Sequence, residues 1–203
     1  MKKYAVLHEP GDIVTLAGTR FVVLDVERRG SLPDSLFLLA LESVGASEFG
    51  SSNNYAESDL KKAVDKWLED MGKRGLDNAK LIPREIDLTT LDGSGCYGKL
   101  SVKATPLTLD EAREYADIIP NAERWCWLAT GWSGPSKSDG DLALYVDSNG
   151  GWSISYCSDS YGIRPALKIP SDLLLDSADK PDLSEVPTDT LLEEIRRRVV
   201  DKA

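Results

Sequence analysis

CWLATGWSGPSKSDGDLALYVDSNGGWSISYCSDSYGIRPALKI, residues 126–169, alternates short apolar runs with clusters of Gly, Ser and Asp. It holds Trp127, Trp132 and Trp152, three of the five tryptophans, and Trp125 stands just before it. WCWLAT (125–130) has the composition of a strand. GWSGPSKSDGD (131–141) carries three Gly and a Pro, so it predicts a long loop. LALYVDSNGGWSISYC (142–157) predicts a hairpin, because Asn149-Gly150 suits the positive φ of a tight turn. SDSYG (158–162) predicts a further turn and IRPALKI (163–169) a closing strand. Pro165 places the start of that strand at an edge or a bulge.

Upstream, DIVTLAGTRFVVLDVE (12–27) predicts a hairpin about Gly18, and DSLFLLALES (34–43) a buried third strand. SDLKKAVDKWLEDM (58–71) predicts the first helix, capped by Ser58 or Asp59. Leu60, Ala63, Val64, Trp67, Leu68 and Met71 make its apolar face, and Gly72 and Gly75 end it. LTLDEAREYADIIP (107–120) predicts the second helix, with a Thr108–Glu111 capping box and Pro120 as its stop. TTLDGSGCYGKLSV (89–102) is loop or short hairpin. Residues 171–187 are rich in Pro and Asp and predict a linker. TLLEEIRRRVVDK (190–202) predicts a terminal helix, placed at 188–203, with a narrow stripe of Leu191, Leu192, Ile195 and Val199. A helix so short is marginal alone, so it is expected to dock on its domain, on a second copy or on a partner. The domain itself is expected to span 1–170.

Composition removes several function classes. The 203 residues carry a net charge of −10, which opposes nucleic-acid binding, since neutralising phosphates needs clustered Lys and Arg. No apolar run is long enough to span a bilayer. The N-terminus lacks the apolar core and cleavage site of a signal peptide, so a location in the cytoplasm or in a phage particle is expected. His8 is the only histidine, which excludes multi-histidine metal sites and leaves a Ser-His-Asp triad without a credible base. The three cysteines form no CxxC pair, and an odd count argues against a disulfide framework. Asp139, Asp141, Asp147 and Asn149 are oxygen donors, but a calcium site needs six or more ligands, and no metal or cofactor is expected.

Six segments in order carry a resemblance: FVVLDV (21–26), SDLKKAVDKWL (58–68), LTLDEA (107–112), WCWLAT (125–130), LALYVDSNG (142–150) and GIRPALKI (162–169). Together, over roughly residues 10–170, they resemble a bacterial and phage family of C-type-lectin-like domains of unknown function. That family is related in fold to the formylglycine-generating enzymes. The resemblance implies an α+β, C-type-lectin-like fold: two helices packed on twisted antiparallel sheets with long irregular loops, here followed by the C-terminal helical tail. Two departures bear on function. WCWLAT lacks the Arg and Ser that follow Trp-Leu in the family. The close cysteine pair that holds copper in the formylglycine-generating enzymes is also missing, since Cys157 is alone in its segment and Cys126 is its nearest possible partner. The calcium-binding triplets of sugar-binding lectins do not occur.

Related lectin-like proteins include the variable proteins of diversity-generating retroelements, which bind targets through their last segment. The resemblance therefore implies a non-enzymatic module that binds a protein or glycan target, as a diversified variable protein or a phage-particle component. The residue mixture fits: Trp and Tyr give large contact area at small entropy cost, and Ser, Gly and Asn adapt their hydrogen bonds. The expected anchors are Trp132, Tyr145, Trp152, Tyr156 and Tyr161. The expected polar complement is Ser136, Ser138, Asp147, Asn149, Ser153, Ser155, Ser158, Asp159 and Ser160. Alternation in WSISY puts Trp152, Ile154 and Tyr156 on one face and the two serines on the other, and either face could be core. Trp125 and Trp127 are assigned to the core, and Arg164 to bonding loop carbonyls. Two other readings stay open: an oxidoreductase of the formylglycine-generating type using Cys126 and Cys157, and a structural assembly domain whose Trp-rich loops pack against a neighbouring chain; the C-terminal helix is the separate candidate for joining copies into a homo-oligomer.

Overall fold

The computed structural model describes residues 2–4, 8–29, 32–135 and 139–177. Ser136, Ser138 and the expected terminal helix lie outside them. The described chain is mixed α and β, with mostly antiparallel strands and two α-helices.

The hairpin of β2 (Ile13–Leu16) and β3 (Thr19–Arg29) turns at Ala17 and Gly18, with φ of 48° and 77°. Two positive φ values in succession match the twist of the strands they join, which is why Gly stands there. With β4 (Leu32–Ala40), β13 (Pro165–Pro170), β8 (Ala104–Pro106), β1 (Lys2–Tyr4) and β14 (Leu174–Ser177) they form a seven-stranded sheet, ordered β1-β14-β2-β3-β4-β13-β8. Its central strands are apolar on both sides because both sides are covered. Phe21, Val23, Leu36 and Leu38 enter one core, while Val22, Leu24, Phe37 and Leu39 enter a second.

Helix α1 (Asp59–Lys73) covers the first side. The Ser58 hydroxyl accepts the Lys61 amide at 2.9 Å and caps it, and Leu60, Val64, Trp67 and Met71 are buried. Helix α2 (Leu109–Glu114) serves the second side. It is shorter than the sequence predicts, because only turns continue from Tyr115 toward Pro120. The Thr108–Glu111 capping box forms as expected.

A five-stranded sheet, ordered β11-β10-β9-β12-β5, lies against both cores. Its strands are β5 (Ala46–Glu48), β9 (Cys126–Gly131), β10 (Leu142–Val146), β11 (Trp152–Tyr156) and β12 (Ser160–Gly162). A small ribbon joins β6 (Arg84–Asp87) to β7 (Lys99–Val102).

Three expectations change. SDSYG is not only a turn, since Ser160–Gly162 pairs with β5 and meets β9. The expected linker carries β14, which pairs with β1 and β2. The closing strand β13 is interior, flanked by β4 and β8, and Pro165 is tolerated as its first residue opposite Pro106.

Candidate functional site

The C-terminal segment does not converge on one point. It supplies residues to a cleft, a hollow and an edge strand.

The cleft, of about 400 Å³, opens between α2 with its following turns and the β9–β11 part of the five-stranded sheet. Its lining is mainly apolar, with Leu109, Ala112, Ile119, Leu128, Val146 and Trp152 among it. Asp147 and Asn149 also line it, so three expected site residues meet there. Asp147 also holds the backbone in place. Its Oδ1 accepts the amides of Asn149 at 2.7 Å and Gly151 at 3.0 Å, which closes the hairpin loop. Only Gly150 takes a positive φ there, 85°, so the loop is wider than the tight turn that Asn149-Gly150 predicts. The Arg113 guanidinium lies 5.3 Å from the Trp152 ring centroid, and these two exposed side chains mark the mouth. Buried Arg164 and Cys126 form the floor.

The hollow, of about 460 Å³, lies beside Trp125, Ser160 and Tyr161. Trp125 is not core, contrary to the sequence reading. It is 45% exposed and stacks on Tyr145, with centroids 5.1 Å apart and planes 13° apart. It precedes β9, and its ring meets only the rings of Tyr145 and Tyr161 among the described aromatics, which leaves it half covered. Trp127 is buried as expected, and its indole N–H donates to the Ser47 carbonyl at 3.0 Å. Tyr161 packs between them, 4.9 Å from Tyr145 and 4.6 Å from Trp127. The hydroxyls of Ser155 and Tyr161 are 2.9 Å apart, and Ser155 also donates to Asp159, so these groups bond one another.

Strand β11 forms one edge of the sheet. Both faces of WSISY are partly covered: Ile154 packs on the second core and Ser155 bonds Tyr161 on the side of the first, while Trp152 and Tyr156 are 46% and 60% exposed. Ser153 and Ser158 are exposed. Trp132 does not project: its ring packs against the second core, and its backbone bonds Leu142 and Asp92.

Sequence reasoning missed Asn53, which ties the Gly131–Gly140 loop to the sheet. Its buried amide donates to the Ser133 and Leu142 carbonyls at 2.9 and 3.0 Å and accepts the Tyr97 hydroxyl at 2.6 Å. Gly131 is required beside it, since a Cβ there would come within 2.9 Å of the Asn53 side chain and carbonyl. Sequence reasoning also missed the part of Arg164 in the cleft. Its Nε donates to the Ala40 carbonyl at 2.7 Å, as a carbonyl-bonding residue should, but its buried Nη2 has no partner.

The thiols do not support redox chemistry between Cys126 and Cys157. Cys126 pairs with Val146 at one end of β10, and Cys157 follows Tyr156, which pairs with Leu142 at the other end. Four residue steps along β10 separate those ends by about 13 Å, whereas a disulfide needs Cα atoms within about 7 Å. Burial pushes the Cys126 thiol up to about 11 and the Cys157 thiol up to about 12, which keeps both protonated near neutrality. Among the described residues, no group of three or more His, Cys, Asp or Glu is placed to hold a metal ion. No helix among them is long and apolar enough to cross a membrane.

Compared with known family models, curated proteins and solved structures, the chain matches none.

Proposed function

We propose that this chain is a non-enzymatic recognition module of C-type-lectin-like architecture that binds a protein or glycan target through its five-stranded sheet. One observation carries the reading. The large apolar side chains left exposed among the described residues are Trp125, Trp152 and Tyr156, and all three belong to that sheet or its immediate flank. Covering such a side chain fully is worth about 1.5–3 kcal/mol, and Trp and Tyr dominate the centres of protein interfaces. The lectin-like assignment rests on the six ordered motifs, and the mixture of antiparallel sheets with two helices agrees with it. Retroelement diversification or a place in a phage particle belongs to the same reading. A near-copy of the DNA for residues 125–165, differing at adenines beside a reverse-transcriptase frame, would mark the diversified case. The test of binding is a glycan array and a protein panel probed with the wild-type chain and with a Trp125→Ser/Trp152→Ser/Tyr156→Ser variant. The variant should keep its circular dichroism and lose at least about tenfold in affinity for any target found. Full retention of target binding by the variant refutes the reading.

The assembly reading is favoured by a different observation. WSISY reads nearly alike in both directions about Ile154, and β11 is an edge strand without Lys or Pro to guard it. Antiparallel pairing of two copies would set Trp152 opposite Tyr156 and Ser153 opposite Ser155. Light scattering decides it: a concentration-dependent dimer abolished by Ser153→Lys supports it, and a monomer at every concentration refutes it.

A further inference from the structure

We propose that the cleft between α2 and the β9–β11 strands is a binding site for a small organic acid, with Arg164 holding the carboxylate and the apolar walls holding its body. Arg164 is 6% exposed, and its guanidinium remains charged despite burial. Among the described residues its one hydrogen bond goes from Nε to the neutral Ala40 carbonyl, and no carboxylate pairs with it. Nη2 is buried without a partner. A buried cation of this kind is costly unless an anion meets it. The group beside it that could supply negative charge, the Cys126 thiol, stays protonated because it is itself buried, and it donates to the Arg124 carbonyl at 3.3 Å. The charged lining of the cleft is Arg113, Arg164 and Asp147, a net of +1 in a chain of −10. The single carboxylate among them is occupied with the hairpin amides. Everything else at the floor and walls is apolar or amide, so the site suits one anionic end and one apolar body. Its volume lies at the lower end of the ~300–1,000 Å³ range of small-molecule pockets, which fits one compact molecule.

This inference shares only Trp152 with target binding by the exposed aromatics, because Trp125 and Tyr156 do not line the cleft. The experiment is calorimetric titration of the full chain with 4-phenylbutyrate and with its neutral amide. Wild type should bind the acid saturably and prefer it over the amide by about tenfold or more, the effect of one charge-assisted contact. Arg164→Gln should erase that preference. Ala112→Trp, which fills the cleft from α2 and leaves Arg164 in place, should abolish binding of both probes. The proposal is overturned if wild type binds neither probe at millimolar concentration, or binds both equally. It is equally overturned if Ala112→Trp, with its circular dichroism unchanged, still binds the acid. Should Arg164→Gln not fold, the amide comparison and Ala112→Trp decide the matter.

Discussion

Replacing Asn53 by Ala should cost the fold about 2–3 kcal/mol, and replacing it by Asp should cost more. Three side-chain bonds, one buried and two partly buried, disappear in the alanine variant. They are not equivalent. The Leu142 carbonyl also accepts the Trp132 amide at 2.9 Å, so it keeps a partner and loses little. Tyr97 is half-buried, and its hydroxyl can turn toward water, so that bond is worth about 1 kcal/mol. The Ser133 carbonyl is left in a buried setting without its amide donor, which costs about 1–2 kcal/mol. Asn53→Asp removes the donor and points a carboxylate oxygen at two carbonyl oxygens in a site 1% exposed, so it combines repulsion with a buried charge. Urea unfolding followed by tryptophan fluorescence measures both, and an unchanged m-value shows that stability alone has moved. In a domain of this size about 2–3 kcal/mol corresponds to a drop of about 4–12 °C in Tm. A loss below about 1 kcal/mol for Asn53→Ala, or a milder effect of Asp than of Ala at pH 7, would refute the account of Asn53 as the tie between the 131–140 loop and the sheet.

At pH 8 a thiol reagent should label Cys96, which is exposed, and leave Cys126 and Cys157 intact until the chain unfolds, as mass spectrometry would show. Both buried thiols are raised from an ordinary value of 9.0, so the folded chain holds protons that the unfolded chain releases. Their contribution to stability is therefore complete below pH 9 and is lost as pH rises toward about 11–12, and Cys157→Ala should flatten part of that slope in urea titrations. Glu111→Ala should cost about 2 kcal/mol, because it removes both the capping bond to the Thr108 amide and the pair with Arg84; Glu111→Gln should cost less, since it keeps the cap. Arg164→Met should change stability by less than about 1 kcal/mol, the lost Ala40 bond being offset by removal of a buried charge, and a loss above about 3 kcal/mol would show that Arg164 is a pillar of the fold.

How much of this was legible in the sequence follows from the range of each signal. The β2–β3 hairpin, the apolar face of α1, the Thr108–Glu111 box and the β10–β11 hairpin are written in residues at most a few positions apart, and they form where expected. Strand order is not local. An apolar or alternating run reports that a segment is covered and does not name what covers it, so nothing in SDSYG announces that Ser160–Gly162 sits between β9 and β5. Trp125 shows the same limit, since its spacing from Trp127 does not tell how much of its ring is covered. The two buried polar side chains show the limit for function. Asn53 and Arg164 both look like ordinary polar residues in the chain, and the distinction lies in what surrounds them. Asn53 has its donors and its acceptor matched to neighbours, which is the pattern of a group retained for stability. Arg164 lines a mainly apolar cleft, matched at Nε and left without a partner at Nη2, and the one carboxylate of that lining, Asp147, is occupied with the hairpin amides. Folding alone would be served as well by Met or Leu at that position. A guanidinium held there at a cost has no partner for Nη2 among the described residues, and the asymmetry between these two residues is the strongest physical reason to look for a ligand in the cleft.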